Sequence, residues 1–112
     1  MIAALPPHSP ARVQIVAREF SLAPSRAAIN AGKAIIELAN FGEDPHDLRL
    51  QRIGGKKIYA WPVAQPGIVE DRTLTLAPGR YRLWCSLAGH RALGMLATLV
   101  VRAPKQSRAA RD

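Results

Sequence analysis

The feature that most limits the possible folds of this chain is a recurring unit, a short alternation of apolar and polar residues followed by a turn signal. Val13 and Ile15 flank the polar Gln14, and the Ala-Pro-Ser run at 23–25 breaks the pattern. Residues 69–76 form a similar run, which ends at the Ala-Pro-Gly sequence at 77–79. No long segment has apolar residues at helical spacing. This pattern predicts an antiparallel β-domain.

The same pattern predicts about eight short strands, which favours an all-β sandwich of two sheets. Strands are predicted around Val13 to Ile15, around Ile29, and at residues 33–40, 46–52, 69–76, 80–85 and 95–102, with a turn at 31–32. Residues 56–67 contain two prolines and a glycine, so we expect an irregular segment with one edge strand.

The length of 112 residues suits one domain and one core. We predict that residues 11–102 form this domain and that residues 1–10 are a flexible extension. The tail at 103–112 carries Lys105, Arg108 and Arg111 without a large apolar residue, so we expect it to be disordered and basic.

The formal net charge of +8 predicts attraction to an acidic partner or surface. Nucleic-acid binding is disfavoured, because the charge is spread along the chain and no recognition motif accompanies it. No apolar run approaches the roughly 20 residues that span a bilayer. The start lacks Lys or Arg before its apolar stretch, which Pro6 and Pro7 end, so we do not expect an intact signal peptide. If the protein is exported, we expect its leader to have been removed.

Strand alternation directs a small set of metal-binding residue types toward the core. Cys85 shares a strand face with Tyr81 and Leu83, and His46 shares one with Leu48 and Leu50. Three apolar residues are predicted on the same face as Met95: Ala97, Leu99 and Val101. His90 lies in the loop that joins the last two predicted strands.

Taken singly, each of these residues has an ordinary explanation, since buried Cys and Met are common core residues. Jointly they indicate a metal site, because outside Met1 and His8 the chain has only one Cys, two His and one Met. Thiolate, thioether and imidazole together suit copper. Zinc would prefer a further thiolate or a carboxylate, and calcium or magnesium would need an oxygen cluster.

The sequence YRLWCSLAGHRALGM at 81–95, with GEDPHDL at 42–48, strongly resembles the cupredoxins, the family of plastocyanin and azurin. The resemblance covers about residues 11–102. It implies an eight-stranded Greek-key sandwich that holds one type 1 copper ion near one end and carries single electrons in the periplasm or outside the cell. It also implies that His46, Cys85 and His90 are equatorial ligands and that Met95 is the axial ligand.

One residue beside this motif departs from the family pattern. The residue after the first ligand histidine is often Asn in cupredoxins, whereas this chain has Asp47. A carboxylate can accept a hydrogen bond from the amide or hydroxyl of Ser86, but it cannot donate one to a thiolate. If it points at the site, its charge should favour Cu(II) and lower the reduction potential.

The loop around His90 is a predicted docking surface for a redox protein. Its residues are small or apolar apart from one arginine: Leu87, Ala88, Gly89, Arg91, Leu93 and Gly94. In cupredoxins the equivalent histidine edge is exposed in an apolar patch where electrons enter or leave. Alternatively, the two leucines simply pack over the metal. Arg91 would steer an acidic redox partner toward the loop, and we expect a monomer.

Four other functions remain open on the residues alone. A copper-delivery protein would use the same ligands without a redox partner. A nitrite reductase needs further histidines, and only His8 remains. A cysteine hydrolase would use Cys85 as nucleophile with His90 or His46 as base, but no helix start is predicted there to lower the thiol pKa. A metal-free adhesion sandwich would have no such site. We expect that the chain is not an enzyme.

Overall fold

The computed structural model describes residues 9–103, so most of the predicted extension and tail lies outside the described residues. Over this range the chain forms nine strands and no helix, and therefore none that is long and apolar enough to cross a membrane. The strands are β1 (Ala11–Arg18), β2 (Ser21–Pro24), β3 (Ala28–Asn30), β4 (Gly32–Asn40), β5 (His46–Arg52), β6 (Ile58–Ala64), β7 (Val69–Leu76), β8 (Gly79–Trp84) and β9 (Leu96–Arg102).

The strands form a four-stranded sheet in the order β2-β1-β4-β7 and a five-stranded sheet in the order β3-β9-β8-β5-β6. The predicted all-β sandwich is therefore confirmed. Most neighbouring strands are antiparallel as predicted, but β1 and β4, and likewise β3 and β9, run parallel. The physical reason is that the turn at 31–32 passes the chain from one sheet to the other. Its two flanking strands consequently pair with strands that are distant in sequence.

Among the strands at the sheet edges, β2 was not predicted from the sequence, whereas the prediction of β6 is confirmed. Strand β2 pairs antiparallel with the end of β1, although the sequence predicted only a chain break there. Its four residues are too few to show alternation. Strand β6 is the edge strand expected within 56–67. It can contain Pro62 because a proline at a sheet edge need not remove a ladder hydrogen bond.

The core is mainly aliphatic, as expected for a chain with only six aromatic side chains (two each of Trp, Tyr and Phe). Every other residue of β1 is buried, namely Val13, Ile15 and Ala17. The buried Trp61 donates from Nε1 to the Ile36 carbonyl at 3.2 Å, which satisfies its polar atom inside the sandwich.

Three connections meet at one end of the sandwich. The β1–β2 turn at 19–20 lies against the β4–β5 loop at 41–45, where the Phe41 amide donates to the Ala17 carbonyl at 3.0 Å. The β8–β9 loop at 85–95 approaches the same turn, since a Cβ added to Gly94 would lie 2.7 Å from the Phe20 carbonyl oxygen. With a φ of +126°, Gly94 suits this close approach in a way that a larger residue would not.

Candidate metal centre

The structure brings together three of the four predicted ligand residues at this end of the sandwich. One potential ligand atom from each of His46, Cys85 and His90 lies within 4.8 Å of the others. The Cys85 Sγ is 3.6 Å from Nδ1 of His90, and the two imidazole ring centroids are 5.1 Å apart. Two nitrogen donors and one sulfur donor thus converge on a single point, as a shared metal ion requires.

His46 enters the site from the first position of β5 and is fully buried. Its Nε2 lies 2.5 Å from a carboxylate oxygen of Glu19, which can only accept a hydrogen bond. Its Nδ1 is buried without a hydrogen-bond partner among the described residues. An unpaired buried polar atom is costly. A metal ion bound at Nδ1 would remove that cost, so the residues present fit a metal.

Cys85 follows β8 directly and is also fully buried. Burial raises the pKa of its thiol, while hydrogen bonds from the backbone amides of Asp47 and Leu87 act in the opposite direction. A metal ion binds the thiolate, so binding requires loss of the thiol proton. The two amides are positioned to stabilise the charged sulfur that remains.

Met95 immediately precedes β9 and is fully buried. Its amide donates to the His90 carbonyl at 3.1 Å, and its carbonyl accepts from the Cys85 amide at 3.2 Å. The backbone of Met95 therefore ties together the two ends of the loop that carry the predicted ligands. Its place among the ligands stays a prediction.

Asp47 is buried, although strict alternation placed it on the outer face. It still lies on the side of Arg49, whose Nε is 3.5 Å from its carboxylate, so its burial comes from contact with the β8–β9 loop and not from a change of face. One carboxylate oxygen accepts from the Ser86 amide at 2.6 Å, and the other accepts from the Ser86 hydroxyl. Asp47 thus anchors the first residue after Cys85, through the two contacts that its chemistry allows.

The predicted docking residues divide into one that packs inward and five that face outward. Leu87 is half-buried against the core, which agrees with the alternative that the loop leucines pack inward. Leu93 is 61% exposed, so it does not cover the site. Four further residues of this loop are exposed: Ala88, Gly89, Arg91 and Gly94. The Arg91 guanidinium lies over the Trp84 ring, 5.0 Å from its centroid, beside an open groove of about 520 Å³.

Sequence reasoning missed three residues that support the site. Glu19 contacts His46, and the Phe20 ring meets the His90 ring edge-on with centroids 5.1 Å apart. The buried Asn40 donates to the carbonyls of Asp44 and Ala64, both at 2.8 Å, and so fixes the loop before His46. None of the three lies in the recognised motifs, and only the meeting of distant loops places them here.

Comparison with solved structures finds the same fold in copper proteins. An auracyanin from Roseiflexus castenholzii has 21% identity and a TM-score of 0.67, with 86% of this chain and 99% of that chain covered. Auracyanin A from Chloroflexus aurantiacus, a "blue" copper protein, has 19% identity and a TM-score of 0.65, with 84% and 100% covered. These likenesses establish that the chain has a cupredoxin-like fold.

The same fold also occurs as part of larger proteins. A copper-containing nitrite reductase from Thermus scotoductus has 16% identity and a TM-score of 0.62, with 92% of this chain but only 30% of that chain covered. No protein-family model and no curated protein sequence matches the chain. Nearly the full length of each auracyanin matches this chain, whereas only part of the nitrite reductase does.

Proposed function

We propose that this protein is a type 1 copper protein that shuttles single electrons between redox partners outside the cytoplasm. The observation that carries the proposal is that one potential ligand atom from each of His46, Cys85 and His90 lies within 4.8 Å of the others, while the buried Nδ1 of His46 has no hydrogen-bond partner in the described part of the chain. The full-length likeness to the auracyanins, one of them a blue copper protein, supports it. The location rests on the resemblance of the motifs to the cupredoxins.

The donor set favours copper over other metals. His46, Cys85 and His90 would supply two imidazoles and one thiolate, and Met95 a thioether, which is the donor set associated with electron-transfer copper. Copper bound there supplies a one-electron couple between Cu(II) and Cu(I). The single thiolate offsets part of the metal's charge in either state, so the buried site need not accommodate a large net charge.

The scaffold can hold the ligands still while the electron moves. His46 belongs to a strand, and the Cys85 amide donates a hydrogen bond to the Met95 carbonyl. Asp47 fixes Ser86 through two hydrogen bonds. Ligand residues anchored in this way change position little between redox states, which is what fast electron exchange requires.

Electrons would pass through the exposed loop that carries His90. We propose that the apolar Leu93 and its small neighbours form the contact and that Arg91 steers an acidic redox protein toward it. Both side chains are exposed within ten residues of Cys85 in the chain. Charge of opposite sign on a partner raises the rate of encounter more than it raises affinity.

The enzymatic alternatives are less well supported. A hydrolase needs an accessible, acidic thiol, whereas Cys85 is fully buried and its pKa is raised by that burial. A nitrite reductase would need histidines beyond the pair used here, and His8 is the only other one in the sequence. A copper-delivery protein would need to release its ion readily, which a buried thiolate opposes.

Repeated redox cycling tests the proposed function. The protein is loaded with one equivalent of Cu(II), reduced with ascorbate, reoxidised with ferricyanide, and followed by absorption and by copper content after each cycle. We expect one electron per chain, and full recovery of the colour with the copper retained. Loss of copper in the reduced state would instead indicate a delivery protein. Cys85→Ser is the matched control, which removes only the sulfur donor.

A further inference from the structure

We infer that Glu19 is a positioning residue of the metal centre, which fixes the ring of His46 through Nε2 and favours Cu(II) over Cu(I). The redox part of this inference rests on the proposed copper function. The positioning part depends only on the geometry of the chain itself. Glu19 lies outside both motifs that resemble the cupredoxins, 27 residues before its histidine partner.

The carboxylate of Glu19 is held in place before it reaches the histidine. Its Oε1 accepts from the Glu43 amide at 2.5 Å, and its Oε2 lies 2.5 Å from Nε2 of His46. Gly42 leaves the necessary space, because a Cβ there would collide with the Glu19 carboxylate. Both oxygens are thus engaged, and the side chain is 23% exposed.

The contact also determines which nitrogen of His46 can bind a metal. The carboxylate of Glu19 accepts from the Glu43 amide at one oxygen and lies against Nε2 of His46 at the other. An ionised carboxylate only accepts, so Nε2 must carry a proton. Nδ1 of this fully buried ring then carries no proton, and its lone pair can bind a metal ion.

A carboxylate at this position does more than orient the ring. Its negative charge increases the electron donation of the imidazole, as carboxylates behind metal-bound histidines generally do. The higher-charged ion gains more from that donation, so Cu(II) is stabilised more than Cu(I). The half-buried ring of His90 packs against Phe20 instead. Among the described residues, only His46 of the two histidines has a carboxylate within hydrogen-bonding distance.

The first test uses the metal-free protein and nitrogen-15 NMR of the histidine rings. In the wild type we expect the His46 ring to keep its Nε2 proton, and we expect the same in Glu19→Gln, whose amide oxygen can still accept. In Glu19→Ala that preference should be lost. An identical ring signal in the wild type and Glu19→Ala would overturn the positioning role, whether or not the protein binds copper.

The second test measures the reduction potential and Cu(II) affinity of copper-loaded variants. Glu19→Gln removes the charge, and we expect about a tenfold loss of preference for Cu(II), which is about 59 mV for a one-electron couple. Glu19→Ala should weaken Cu(II) binding by about 10- to 100-fold. The matched control is Asp71→Asn, which removes an equal charge from an exposed residue of β7 that makes no contact with Glu19 or His46, and which should change neither value.

The outcomes separate this inference from the proposed function. A blue wild type whose potential is the same in Glu19→Gln and Asp71→Asn would contradict the tuning role and leave the electron carrier intact. A wild type that binds no copper would contradict the proposed function, while the NMR comparison would still decide the positioning role. A raised potential in Glu19→Gln alone would support both.

Discussion

His46 and His90 reach the same point from two different kinds of structure. His46 begins a strand, is fully buried and contacts the carboxylate of Glu19. His90 lies in a nine-residue connection between Cys85 and Met95, is half-buried and is held by turn hydrogen bonds such as that from its amide to the Leu87 carbonyl at 3.0 Å. The difference suggests a division of labour, in which one side fixes the metal and the other meets the partner.

The supporting residues follow the same division. Near His46, the buried Asn40 accepts a hydrogen bond from the Gly42 amide at 2.9 Å. Its side-chain amide also donates to the carbonyls of Asp44 and Ala64. Around His90, the exposed Leu93 and Arg91 make no comparable buried contact and lie toward solvent. A protein that must hold one ion and exchange electrons quickly needs both kinds of surroundings, and this chain provides them around different histidines.

The largest expected effect separates the two histidines by their contribution to folding. His46→Ala should lower the free energy of unfolding of the metal-free protein by about 2 to 4 kcal/mol, because it leaves a buried cavity. His90→Ala should cost about 1 kcal/mol or less, since it truncates a half-buried loop residue. Urea denaturation of both variants measures this contrast. Equal losses would contradict the division between the two sides.

A charge placed on the loop of His90 should affect exchange but not metal binding. Leu93→Glu should slow electron self-exchange about tenfold, because it places an unpaired charge in the apolar contact, and this effect is within the range that interface variants show. Its blue absorption should be unchanged. Ile58→Glu is the matched control. Ile58 is an exposed residue of the edge strand β6, and it pairs with Gln51 near the end of β5 that lies away from His46. Equal exchange rates in the two variants would remove the docking role of the loop.

The smallest expected effect concerns steering by the basic surface. With an anionic one-electron donor such as ferrocyanide, the reaction rate should fall several-fold between low and physiological salt, because exposed charges are screened. With a cationic reagent, the rate should rise instead. Arg91→Gln should flatten the salt dependence more than Arg26→Gln, a change at an exposed residue between β2 and β3. Identical slopes would show that Arg91 does not steer.

Much of the site could be predicted because it depends on local pattern. Alternation along β5 and β8 correctly directed His46 and Cys85 into the core, and the residue before β9, Met95, is buried as expected. The burial of Asp47 could not be predicted, because it depends on contact with Ser86, which lies 39 residues away in the sequence. The parallel pairs were missed for a related reason, since alternation does not identify a strand's neighbour.

The residues that were missed are those whose role depends on folding over long distances. Glu19 follows a strand as an ordinary polar turn residue, and nothing near it in the sequence indicates a histidine. Its role appears only when the turn at 19–20 and the loop at 41–45 come together. Asn40 likewise ends a strand and gives no signal until its amide meets Ala64 from β6.

The central claim is that His46, Cys85, His90 and Met95 hold one copper ion, and the visible spectrum after addition of Cu(II) tests it most directly. The account predicts an intense blue charge-transfer band that saturates at one equivalent and is absent from Cys85→Ala. A wild-type protein with no such band, or a band of equal intensity in Cys85→Ala, would contradict the account.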